Sequence, residues 1–237
     1  MALWQAAALC GARAGVVHSY QFTSSYADDF GGPELVPNGS QGIGTLGAST
    51  YSFAANQGLS LSSALSNNAT YSILVDFSFT DLTGYRKIID FKDRGPDAGL
   101  YNLNNQLVFF NGGGSSPPNT FQPNIFYRLV ITRDNSTNAF DAYVNGVFQL
   151  TFTDSSSVAV FSATNSIINF FNDDFLQNSE ASGGTVDQIA IYNNPLTAAQ
   201  VLALGGPGGV VPEPGTFSLV VAGLAGLAVA ARRRFLR

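Results

Sequence analysis

"YSILVDFSF", residues 71–79, places Tyr71, Ile73, Val75, Phe77 and Phe79 on one side of an extended chain and Ser72, Asp76 and Ser78 on the other. Period two over nine residues is the pattern of a strand with one face in a core. Working outward, the same pattern recurs. "LYNLNNQLVFF" (100–110) has two apolar runs around Asn104-Asn105, and "FDAYVNGVFQLTF" (140–152) has Asn145-Gly146 between alternating runs. Both read as hairpins, the second through a type I′ turn that Asn-Gly suits. "FYRLVITR" (126–133), "SIINFF" (166–171) and "TVDQIAIY" (185–192) add three more strands, with Asn, Ser, Thr and Gly at the breaks. Helical signals occur in one place: Thr197 and Gln200 form a capping box ahead of Val201 and Leu202. The expectation is an all-β sandwich or jelly roll of antiparallel sheets, closed by one short helix.

Composition narrows the function. The 237 residues are 45% hydrophobic, enough for a packed core, and only 11% charged. Between residues 15 and 231 there are six basic residues against all sixteen acidic ones, a net −10. Such a body repels phosphate backbones, which argues against nucleic-acid binding. One cysteine (Cys10) and one histidine (His18) exclude disulfides and zinc sites built from Cys and His.

Both ends read as addresses. Ala2 to Leu9 is apolar and Ala12-Arg13-Ala14 fits the small-x-small cleavage pattern, so residues 1–14 are read as a signal peptide. The usual basic n-region is missing, so its start is read as truncated or misassigned. At the other end, residues 217–231 form an uncharged run of fifteen, followed by Arg232, Arg233 and Arg234. As a helix the run would reach about 22 Å, short of the roughly 30 Å hydrocarbon core. The arginines act as a cytoplasmic stop and hold the rest of the chain outside. Pro212-Glu213-Pro214 precedes the run, after a Gly/Pro linker at 205–211.

The order Pro-Glu-Pro, short apolar helix, arginine cluster resembles a PEP-CTERM sorting signal over residues 212–237. The resemblance implies transient anchoring in the inner membrane, then processing near the Pro-Glu-Pro by an exosortase, in bacteria that build an exopolysaccharide matrix. The ordered blocks "YSILVDFSF", "RKIIDFKD", "FYRLVITRD", "FDAYVNG", "FFNDD" and "SGGTVDQIAIYNNPLTAAQV" are similar to LamG-like domains. These are concanavalin A-like jelly-roll sandwiches, and the domain is set at residues 15–204.

The candidate chemistry is sparse. Retaining glycanases need two carboxyl groups about 5 Å apart. The three glutamates, Glu34, Glu180 and Glu213, have no glutamate neighbour at strand spacing, and no Gly-x-Ser-x-Gly elbow exists. "FFNDDFLQNSEASGG" (170–184) gathers Asn172, Asp173, Asp174, Asn178 and Glu180 in one loop. The resembled domains often carry calcium at a sandwich edge, which makes Asp173, Asp174 and Glu180 candidate ligands; the alternative is a turn whose side chains cap backbone N–H groups. Asp187 is expected to bond a neighbouring loop. "DFKDRGPDAG" (90–99) is expected to be a solvated tip and "GGGSSPP" (112–118) a mobile loop. The sequence thus points to an exported, non-catalytic module for the envelope or matrix, binding a glycan or a protein partner. The alternatives are a purely structural matrix protein and, less consistent with the residues, a polysaccharide-acting enzyme.

Overall fold

The computed structural model describes residues 15–176 and 179–208. The signal-peptide residues Ala12 and Ala14, Asn178, and the whole sorting signal (Pro212, Glu213, Pro214, Arg232, Arg233, Arg234 and the apolar run at 217–231) lie outside them. Among the described residues no helix is long and apolar enough to cross a membrane.

Among the described residues there are fourteen strands and one helix. In chain order they are β1 (Val16–Tyr20), β2 (Val36–Pro37), β3 (Thr45–Leu46), β4 (Tyr51–Phe53), β5 (Leu59–Leu61), β6 (Tyr71–Phe79) and β7 (Tyr85–Asp90). There follow β8 (Gly99–Leu103), β9 (Gln106–Phe110), β10 (Tyr127–Asp134), β11 (Ala139–Val144), β12 (Val147–Thr153), β13 (Ile168–Phe170), β14 (Gly184–Tyr192) and α1 (Ala198–Leu204). One sheet runs β12-β11-β10-β6-β14-β4-β3, with β1 also on β14; the other runs β2-β5-β13-β7-β8-β9. Every paired strand is antiparallel.

The inner faces meet in an aromatic core. Tyr71, Phe77 and Phe79 of β6 share one buried cluster with Phe91, Phe109, Phe121, Phe140, Phe161 and Phe171. Offset and edge-to-face ring contacts, such as Phe53 on Phe171 at 4.5 Å and Phe109 against Phe140 at 5.0 Å, make this core specific as well as apolar. Both hairpins form where read. Leu103 pairs with Gln106 across Asn104-Asn105, and Val144 with Val147 across Asn145-Gly146. All four turn residues have positive φ, which Asn and Gly tolerate. Thr197 and Gln200 make the capping box that starts α1.

The outer faces depart from the sequence reading. β6 is buried on both sides. Its Ser72 hydroxyl donates to the Asn194 carbonyl and accepts from Leu196 N–H, and Leu74 packs with Val130, Tyr143, Tyr192, Val201 and Leu204. Helix α1 therefore roofs the larger sheet at its centre. "DFKDRGPDAG" is not a solvated tip: Asp90 and Arg94 are buried. "GGGSSPP" is tied down by a bridge from Ser115 to Val108 and by Ser116, whose hydroxyl accepts from Leu107 N–H.

Asp187 does not bond a loop. It falls at the bulge where the β14–β6 register shifts, and its Oδ1 is buried without a hydrogen-bond partner. Burial, with the Asp76 charge nearby, pushes its carboxyl up to about 6. A carboxyl raised in the folded state holds its proton longer than in the unfolded chain, so stability falls as pH rises from about 4 to 6. Asp187→Asn should raise the melting temperature by about 1–3 °C at pH 7.5, a figure discounted for the group's partial exposure. Melts at pH 4 should show no gain.

Candidate functional site

The outer face of the six-stranded sheet carries a constellation of charge and aromatic rings that sequence blocks far apart build together. β7 supplies Tyr85, Lys87 and Asp90; β8 supplies Tyr101 and Leu103; β9 supplies Gln106, Val108 and Phe110. The register sets Lys87 beside Tyr101 and Tyr101 beside Val108. Leu107 and Phe109 alternate inward to the core, which turns Val108 and Phe110 outward.

At the β8–β9 edge this face is an open groove of ≈ 520 Å³, lined by Leu103, Gln106, Val108, Phe110, Asn111 and Ser115 among others. Tyr85, Tyr101 and Phe110 form an edge-to-face cluster, with centroids 5.5–6.2 Å apart. Gly113 and Gly114, both at positive φ, let the chain fold back over Phe109. No carboxylate lines the groove.

Towards the sheet centre, residues 91–98, 171–176 and 179–183 cover the face. Here Lys87, Asp90, Asp173 and Asp174 are fully buried and Arg94 nearly so. The Lys87 ammonium donates to the Ala98 carbonyl (3.0 Å), lies 3.4 Å from Asp174 Oδ2 and 3.9 Å from Asp90 Oδ2, and sits 4.2 Å from the Tyr101 ring centroid. Arg94 Nε donates to the Asp173 carbonyl (2.6 Å), and its guanidinium lies over Phe175. Burial and the charges of Asp173 and Asp97 push the Glu180 carboxyl up to about 6. Burial likewise raises Asp173, with the Asp174 charge adding to it.

The structure brings Asp173, Asp174 and Glu180 into one loop, where N–H donors and a lysine already engage the first two carboxylates. Asp173 accepts from the Asp174 N–H (2.9 Å) and the Glu180 N–H (2.6 Å); Asp174 accepts from Leu176 N–H (2.8 Å) and faces Lys87. Among the described residues no three of His, Cys, Asp and Glu are placed to hold a metal ion. The carboxylates of Asp173 and Asp174 cap backbone N–H groups. Sequence reasoning missed Lys87 and Arg94. The only signal for them was scarcity: in a body with six cations, each one is expensive to leave unpaired.

His18, the one histidine, sits on β1 with Nδ1 2.7 Å from Asp28 Oδ2 and Nε2 2.8 Å from the Ala64 carbonyl. No hydroxyl nucleophile is bonded to it in this arrangement, so it serves as a strut for the 28–32 turn.

The profile of the concanavalin A-like lectin/glucanases superfamily matches residues 53–202. The chain belongs to this superfamily. A second profile, the PEP-CTERM protein-sorting motif, matches residues 210–234 and marks the chain as an exported protein, processed by an exosortase at the membrane. Among solved structures, the superfamily domain is similar to domain 4 of an extracellular arabinanase from Geobacillus stearothermophilus, solved with arabinotriose. Identity is 18%, the match covers 81% of this chain and 99% of that one, and the TM-score is 0.60. A sialidase of Trypanosoma rangeli, solved with sialic acid, matches at 17% identity and TM-score 0.59, over 80% of this chain and 32% of its own. The binding domain of botulinum neurotoxin serotype D matches at 15% and 0.55, over 80% and 51%. At such identities the likeness is one of fold. No curated protein matches the chain.

Proposed function

We propose that this chain is an exported, non-catalytic binding module whose β8–β9 groove holds a glycan, and that exosortase processing delivers it to the cell envelope or exopolysaccharide matrix. The observation that carries the reading is the groove itself: Phe110, with Tyr85 packed against it, offers an aromatic wall, Gln106, Asn111 and Ser115 offer polar groups, and no carboxylate is among the residues that line it. An apolar face flanked by a few amides and hydroxyls suits a sugar ring, which is itself apolar on one side and polar at its rim. That the arabinanase domain of the same fold was solved with a trisaccharide supports the reading.

The test is retention on immobilised exopolysaccharide from matrix-building bacteria and on a glycan array. The wild type should be retained at micromolar concentration, and Phe110→Ala should bind at least about tenfold more weakly while melting normally, because about 1.4 kcal/mol of ring contact is lost. Retention unchanged by Phe110→Ala would place the ligand elsewhere. Retention of no glycan by a folded protein would leave an envelope-protein partner or a structural matrix role. The secreted protein should end near Pro212–Pro214 by mass spectrometry; secreted material that keeps Arg237 would contradict the sorting half of the proposal.

A further inference from the structure

We infer that the Lys87 ammonium fills the place between Asp174, Asp90 and the Ala98 carbonyl that a metal ion would need, so that the chain around Asp173 and Asp174 is locked by a lysine and the domain neither needs nor binds calcium there. The ammonium touches what a calcium ion would use there: two carboxylates, Asp174 and Asp90, and a backbone carbonyl, Ala98. Both carboxylate residues and the lysine are shut off from water. A calcium ion bound to these oxygens at about 2.4 Å would press against a second buried cation, and like charges repel strongly where solvent is excluded.

Several other oxygens around the loop are held by N–H donors. Arg94 Nε takes the Asp173 carbonyl and the Lys87 N–H takes the Glu180 carbonyl (2.7 Å). The Asp173 carboxylate is held by the Asp174 and Glu180 amides. Asp90 Oδ1 accepts from the Arg94 and Lys92 amides at 2.7 and 3.0 Å. Calcium wants six to eight oxygens, and these oxygens already face protons. The Tyr101 ring completes the cage from below, giving the ammonium a cation–π contact that a hydrated metal ion would not make as closely. A covalently attached cation has a further property: it cannot be diluted or chelated away, so the geometry of the loop does not depend on the ionic content of the surroundings.

The experiment melts the full chain and Lys87→Ala in EDTA, in calcium and in magnesium. The wild type should melt within about 1 °C in all three, since a ligand that does not bind the folded state cannot shift its midpoint. Lys87→Ala empties the cage while leaving its oxygens in place. It should melt lower in EDTA and regain several degrees in millimolar calcium, and less in magnesium, whose octahedral demands the cage does not meet. A calcium-dependent rise in the wild type, abolished by Asp174→Asn, would overturn the inference, as would a folded Lys87→Ala that ignores calcium. Should Lys87→Ala fail to fold under any condition, terbium titration of the wild type decides. Tyrosine-sensitised emission that is lost in Tyr101→Phe would place a metal in the cage and sink the idea; its absence sustains it.

Discussion

Arg128→Met is expected to cost about 3–5 kcal/mol of folding stability, because it strands a buried carboxylate. Arg128 on β10 and Asp76 on β6 are cross-strand neighbours in register. Arg128 Nε reaches Asp76 Oδ1 at 2.8 Å and Nη2 reaches Oδ2 at 2.6 Å, a two-pronged pair with both residues sealed beneath α1. The third prong, Nη1, donates to the carbonyl of Leu204 at 2.7 Å. That carbonyl belongs to the last turn of α1, where a positive charge is favoured and an orphan acceptor would otherwise remain. One side chain therefore neutralises a charge in the sheet and fastens the end of the helix from which the sorting tail departs. Methionine fills the volume and does neither. Urea titration should show the loss as an earlier midpoint, and limited proteolysis should cut first around α1. The double change Asp76→Leu with Arg128→Met removes the charge along with its partner and should recover a large part of the loss. A double variant no better than the single one would mean that the Leu204 contact, not the buried charge, carries the cost.

This pair also shows where reading the sequence stops. Alternation in "YSILVDFSF" correctly assigns Tyr71, Ile73, Val75, Phe77 and Phe79 to the core, because a strand's faces follow from period two alone. It leaves open whether Ser72, Asp76 and Ser78 on the other face meet water. Whether a polar outer face is wet depends on what covers it, and the cover comes from α1, some 120 residues along the chain. The hairpins at Asn104-Asn105 and Asn145-Gly146 and the capping box at Thr197 were legible because their causes lie within four residues of each other. The Lys87 cage was not, since its walls are Ala98, Tyr101 and Asp174, brought together only by the order β13-β7-β8. The sequence did carry one usable hint. Of the six cations in the body, Lys87, Arg94, Arg128 and Arg133 are all buried. In a chain so poor in charge, those that remain inside strands are the ones with partners, as Arg133 has in Asp154 at 2.7 Å.

Phe171→Ala should be as costly, about 3–5 kcal/mol, through a different cause: a void in the core. Phe171 is fully buried and stacks on Phe53 at 4.5 Å, with Phe77 and Phe79 at 5.7 and 5.9 Å. It follows directly on β13 and has φ +61°, a left-handed conformation unusual for a bulky side chain. Its backbone N–H still donates to Ile88 on β7 at 3.0 Å. The strained residue turns the chain: its ring stays between the sheets while Asn172, Asp173 and Asp174 are thrown onto the outer face, towards Lys87 and Arg94. Burial of the ring offsets the strain of the turn. Two effects should therefore appear together in Phe171→Ala. Denaturant melts should show the loss of stability, and amide exchange should accelerate at Asp174, Leu176 and Glu180, whose N–H groups the loop's own carboxylates hold. Phe171→Leu, which keeps most of the volume, should cost less and leave those amides protected. If the alanine variant loses stability while the three amides exchange at their wild-type rates, the ring supports the core alone, and the cage around Lys87 holds its loop without help from beneath.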